Sequence, residues 1–151
     1  MTKKLRWGSA FIVLVSLPLY ANVEEKLKDL ESPDDSKVIA AAQWLGKEEE
    51  KKAVDPLIRL AKSERSPLVR IHAISALGLI KEKGKTTTEL RQLIEQENHK
   101  TVVYSALVAI LNIKDTDNAD FRRALEISEQ KHQDDPYIRD ITQRIRKIIS
   151  K

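Results

Sequence analysis

Residues 66–80 read SPLVRIHAISALGLI, a helical stretch with almost no polar face. Ser66 and Pro67 close the polar link that precedes it. Beyond them Ile71, Ala73, Ile74, Ala76, Leu77, Leu79 and Ile80 point nearly all the way round the helix axis. A helix that is apolar on all sides must be covered on all sides. The chain has only 151 residues, so the cover has to come from more helices of the same kind, stacked before and after this one.

Comparing 69–78 with the rest of the chain supports that reading. A shift of 34 residues forward sets Val69 on Val103, Leu77 on Leu111 and Gly78 on Asn112. A shift of 32 back sets Ala73 on Ala41, Ala76 on Trp44, Leu77 on Leu45 and Gly78 on Gly46. A shift of 69 forward sets Val69-Arg70 on Ile138-Arg139. Gly and Asn at the aligned ends suggest left-handed helix termini. Each of these segments follows an amphipathic one. Val54, Leu57, Ile58 and Ala61 form one stripe; Leu90, Leu93 and Ile94 form the next; Phe121, Ala124, Leu125 and Ser128 form another; Val23, Leu27 and Leu30 begin the series. Short polar links join the helices of a pair: SPDD 32–35, SERSP 63–67, QENHK 96–100 and KHQDDP 131–136. Asp55-Pro56 reads as a helix start, and Thr86, Thr87 and Thr88 each offer a cap for the helix that follows. The expected fold is therefore all-α, a short α-solenoid of about four helix–turn–helix units of 30 to 35 residues. Sparse aromatics, at 5%, and abundant Glu and Lys agree with it.

The first 21 residues, MTKKLRWGSAFIVLVSLPLYA, carry a different pattern. Lys3, Lys4 and Arg6 precede an apolar run, Pro18 interrupts it, and Ala21 is a small residue before a cut at Asn22. This is the layout of a secretory signal peptide. Two domains are expected: a leader over 1–21 and the repeats over 22–151, in a periplasmic or secreted protein. Leu19 is large for its place before the cut, which keeps an uncleaved anchor as the alternative, and membrane contact is expected only in that case. Three basic side chains lie in the leader with no acidic ones; subtracting them from the whole chain's +4 leaves +1 for the remainder. That balance speaks against nucleic acid as a partner. The chain has no cysteine, so packing alone must hold the exported domain together.

The stretch AVDPLIRLAKSERSPLVRIHAISALGLIKEKG, 53–84, resembles a HEAT repeat, in particular the HEAT-like units of the phycobilisome-lyase type found in many bacterial proteins. Leu57, Leu60, Pro67, Val69-Arg70, Ala73 and Leu77-Gly78 carry the rhythm, and the resemblance extends over about 125 residues. Lys37 and Tyr104 depart from it where Val and Arg are expected. The resemblance implies a scaffold that binds a protein or peptide through a concave face lined by the second helices. It also implies that the repeat Arg bonds an acidic link residue, which points to Arg70, and to Arg139 with Asp134 or Asp135. Some relatives of this type attach or remove bilins. Export, small size and the lack of an acid–base pair weigh against a bilin-lyase-like enzyme here.

The motifs of nucleotide, zinc or nucleophilic chemistry do not occur. His72, His99 and His132 are scattered. His132 with Asp134 and Asp135 has the elements of a metal site, but Asp135-Pro136 is better read as a helix start. No metal, cofactor or catalytic residue is expected. The candidate contact residues are Arg70, His72, Tyr104 and Trp44, all on second helices, where exposed aromatics are favoured contact points. The last helix sets Arg139, Arg144, Arg146, Lys147 and Lys151 against Ile138, Ile141, Ile145, Ile148 and Ile149, a basic amphipathic pattern whose functional alternative is a surface for a membrane or an acidic partner. It reads as a cap that closes the stack.

Overall fold

The computed structural model describes residues 17–150, with side chains from Asn22 onward. Eight α-helices follow one another: α1 (Leu17–Asp29), α2 (Asp35–Lys47), α3 (Val54–Ala61), α4 (Pro67–Ile80), α5 (Lys85–Gln96), α6 (Lys100–Ile113), α7 (Ala119–Lys131) and α8 (Pro136–Ile149). A 3-10 turn, Lys51–Ala53, leads into α3. Among the described residues there is no strand. Consecutive helices pair as four hairpins, and the hairpins stack in chain order. This is the short α-solenoid that the periodicity predicts. The expected leader, apart from the start of α1, lies outside the described residues. Among those described, no helix is long and apolar enough to cross a membrane.

Two layers result. The second helices pack as a continuous row, α2 on α4, α4 on α6 and α6 on α8. In the layer of first helices α5 packs on α7, whereas α3 and α5 barely touch. The core runs between the layers through Leu45, Leu57, Ile74, Leu77, Leu90, Ile94, Leu107, Ile110, Phe121 and Leu125, all fully buried. Each such side chain contributes about 1.5–3 kcal/mol by leaving water.

The helix ends follow local chemistry. Asp34 accepts from Ser36 N (2.9 Å) to start α2, and Asn118 Oδ1 accepts from Asp120 N (2.9 Å) to start α7. Asp135 Oδ1 accepts from both Tyr137 N and Ile138 N at 3.0 Å, with Pro136 in the first turn of α8. Two expected caps are not caps. Asp55 lies inside α3, behind Ala53, and pairs with Lys85 at 2.8 Å. Thr86, Thr87 and Thr88 all lie within α5, whose start is Gly84 at φ +68°. The cap comes instead from the following unit. Asp115 Oδ2 accepts from Gly84 N (2.8 Å), Thr87 Oγ1 (2.9 Å) and Asn118 Nδ2 (3.1 Å).

The aligned glycines have another purpose than the one expected. Gly46 and Gly78 are helical and buried, while α4 and α6 end on Lys81 (φ 56°) and Lys114 (φ 53°). A Cβ on Gly46 would lie 2.7 Å from Ala76 Cα, and one on Gly78 would lie 2.9 Å from Ala109 Cα. The glycines thus let neighbouring second helices approach until backbone meets backbone. These contacts also correct the register of unit three. Lys81 matches Lys114 and Ala76 matches Ala109, a shift of 33 rather than 34. Tyr104 therefore occupies the place of Ile71, and Val103 that of Arg70.

Candidate functional site

Stacking covers most of α4, but not all of it. Leu68 stays 58% exposed and Leu79 45%, at the two ends of a stripe through Ile71, His72 and Ser75. On α6 the matching stripe is Thr101, Tyr104, Ser105, Val108 and Asn112, with Tyr104 38% exposed. Neither stripe holds an Asp, Glu, Lys or Arg, in a chain where these make up 33% of residues. Tyr137, 75% exposed, continues the surface onto α8.

Two grooves cross this surface. One of about 270 Å³ lies between α4 and α6, walled by Ser75, Leu79, Tyr104, Val108 and Asn112. The other, about 260 Å³, lies between α6 and α8, walled by Lys100, Thr101, Tyr104, Tyr137 and Ile138. Tyr104 is the wall they share. Charge enters only at the rim of the second groove. There Lys100 Nζ lies 3.1 Å from Asp134 and 3.6 Å from Asp135. The bond to Asp134 raises the Lys100 ammonium above its ordinary value. The N–H of Ile138, with that of Tyr137, holds the Asp135 carboxyl below the usual range against the opposing effect of burial. Both groups stay charged and engaged with each other. The face offers apolar contact, with hydroxyl and amide groups at its edges.

The first-helix layer is built differently. Lys62 pairs with Glu89, Lys85 with Asp55, and Arg91 Nε with Asp120 at 3.1 Å. Lys131 Nζ donates to the carbonyls of Glu95 (2.9 Å) and Glu97 (2.8 Å). Ion pairs and charge-assisted hydrogen bonds tie the units together there, whereas close apolar packing does so among the second helices.

The four candidate residues fall into two groups. Tyr104 and His72 lie on the uncharged face, and the amide of Gln43 approaches His72 Nδ1 to 3.4 Å. Trp44 is half-buried against the core. Arg70 reaches the other way: its Nε donates to Ala61 O at 2.9 Å and its guanidinium pairs with Glu97. Burial pushes the Glu97 carboxyl up, but the His99 N–H and Arg70 more than offset this and hold it low. Arg139 does not bond Asp134 or Asp135. Its guanidinium donates to Gln133 O at 3.1 Å, and the two aspartates face Lys100. His132 is buried at 5% exposure, and no three potential metal ligands cluster among the described residues. Leu68, Leu79 and Tyr137 were not among the candidates. The signal for the first two was present in 66–80 itself, as apolar residues left over once both stacking faces are assigned.

A family model described as HEAT repeats matches residues 24–111, from α1 into α6. No curated protein matches the chain.

Proposed function

The chain belongs to the HEAT-repeat family, and on that premise we propose that it is a scaffold that holds a protein or peptide partner against the face of its second helices, with no catalytic step of its own. HEAT repeats generally mediate protein interactions. The observation that carries the reading is the uncharged, partly apolar surface of α4 and α6, centred on Tyr104, in a chain rich in charge elsewhere. The difference in packing between the two layers supports the reading too. The close approach of Gly46 to Ala76 and of Gly78 to Ala109 draws the second helices together, while α3 and α5 barely meet. A stack bends toward its tighter layer, so this face is the concave one. Tyr104, His72, Leu68 and Leu79 touch the partner, and Arg70 and Trp44 hold the helices that present them. The exposed part of three helices suits a peptide, a loop or one domain edge.

We further propose that residues 1–21 are a leader and that the protein works in the periplasm or outside the cell. The tripartite layout of MTKKLRWGSAFIVLVSLPLYA supports this. N-terminal sequencing of the exported protein tests it: a start at Asn22 is expected, and a start at Met1 points to a membrane-tethered adaptor instead. For the binding face, the test compares capture of a partner by the wild type, by Leu79→Ser/Tyr104→Ser and by Arg122→Gln/Arg123→Gln on the first-helix side. Capture should be lost only in the first pair, with all three folded by circular dichroism. Equal capture by the first pair and the wild type would remove the proposal.

A further inference from the structure

Arg70 and Arg139 occupy the same place in their units, three residues after the first-turn prolines Pro67 and Pro136. Their surroundings differ in one respect. Arg70 bonds the carbonyl of Ala61 and a carboxylate, Glu97, supplied by the link of the next unit. Arg139 bonds the carbonyl of Gln133 and, among the described residues, no carboxylate. Arg65, Arg91, Arg144 and Arg146 each have one: Asp35, Asp120, Asp140 and Glu129.

Beside Arg139 lies a polar cavity of about 200 Å³ between α7 and α8, lined by Ser128, Glu129, His132, Gln133, Arg139 and Gln143. It occupies the region where, two units earlier, the next hairpin seats on α4. His132 is 5% exposed, and its buried Nε2 has no hydrogen-bond partner. Glu129 is already clamped by Arg146 through two bonds of 2.6 and 2.7 Å. What this cavity lacks, among the described residues, is a carboxylate bonded to Arg139. The residues at the stacking positions also decide what can fill it. Ile74 and Leu77, buried on α4, correspond to Gln143 and Arg146, both exposed on α8. A further apolar helix would find no apolar seat here, whereas a polar, negatively charged segment would find donors.

We propose that this end of the solenoid binds an acidic, extended segment of a partner protein, whose Glu or Asp carboxylate takes the place beside Arg139 that Glu97 takes beside Arg70. The segment bonds the guanidinium and lies against His132 and Gln143. The site is distinct from the uncharged face and stands whether or not that face binds anything. It is matched by charge, where the other is matched by apolar shape.

The test is a nuclear magnetic resonance titration of the full chain with acetyl-Ser-Ala-Glu-Ala-Ser-amide and with its Gln counterpart. The readouts are the Arg139 Nε–H and the His132 ring resonances. Saturable shifts at both residues with the Glu peptide, and none with the Gln peptide, are expected. Arg139→Gln should weaken the response roughly tenfold or more, the loss that follows when a hydrogen bond to a charged group goes. Lys147→Gln, on the same helix, should leave it unchanged. If Arg139→Gln does not fold, Arg139→Lys replaces it; it keeps the charge but not the two-pronged geometry, and should still bind more weakly. Equal shifts with the Gln peptide, no shifts at Arg139, or an unaltered response in the Arg139 variant would overturn the proposal. So would an equal response to sodium acetate, which makes any free carboxylate the ligand. A concentration-dependent dimer that vanishes in Arg139→Gln would overturn it as well, since a second copy would then be the occupant.

Discussion

Replacing Gly46 with Ala tests the packing of the second helices directly. The new Cβ would lie 2.7 Å from Ala76 Cα and 2.9 Å from Ala76 Cβ. Ordinary van der Waals approach begins near 3.4 Å, so α2 and α4 must separate by about 0.7 Å. The nearest atom is backbone, so no rotamer change relieves the clash. Overpacking of this kind costs about 1–3 kcal/mol. In a free helix the same change would stabilise by up to ~1 kcal/mol, because Ala is the better helix former. With the full helix gain set against it, the net expectation is a loss of about 0–2 kcal/mol. Gly78→Ala meets Ala109 Cα at 2.9 Å and should lose less. Adding Ala76→Gly to Gly46→Ala should recover only part of the loss, since the clash with the main chain at position 76 remains. Urea unfolding followed by circular dichroism gives each value. If Gly46→Ala proves more stable than the wild type, the two helices do not meet backbone to backbone and the tight-layer argument fails.

Three further outcomes follow from the polar interactions. Asp115→Ala should cost about 1–3 kcal/mol by orphaning Gly84 N and Thr87 Oγ1, read by urea unfolding; a neutral result would mean that α5 does not depend on a cap from the next unit. Arg70→Ala should cost about 1.5–3 kcal/mol, the worth of a hydrogen bond to a charged group, and raise the titration point of Glu97 in carboxyl-detected resonance, whereas an unmoved Glu97 would contradict the pairing. Burial and the charges of Lys131 and Lys100 depress His132 below its ordinary 6.5 despite Asp134 and Asp135 nearby. Its neutral form is favoured by folding, so its contribution is present above pH 6.5 and is lost as pH falls through the depressed value. The wild type should therefore be less stable at about pH 5 than at about pH 7, and His132→Gln should shrink that difference; an unchanged difference would refute the assignment.

The helices and their pairing were legible because each depends on its own periodicity. Leu57, Ile58 and Ala61, or Phe121, Ala124, Leu125 and Ser128, are stripes that a single helix displays, and all of them are buried. What depends on the distance between helices was not. Gly46 and Gly78 sit near helix ends, and local rules read them as terminators; that they admit Ala76 and Ala109 is visible only when two units are placed together. The one-residue offset of unit three has the same origin, because Gly78 and Asn112 look like equivalent helix ends to a local rule. The cap from Asp115 lies 31 residues from Gly84, beyond any local capping pattern. Of the candidate residues, Tyr104 and His72 share the uncharged face. Arg70 and Trp44 lie on second helices as well but are engaged elsewhere, since helix position alone does not say which way a long side chain turns.

The most direct test of the binding face is a photo-crosslinking residue placed at Tyr104, and separately at Arg122 on the opposite layer, in the protein exposed to its native extract. A discrete adduct from position 104, absent from position 122, is the predicted result. An adduct from position 122 and none from 104 would put the partner on the charged first-helix layer and contradict the account.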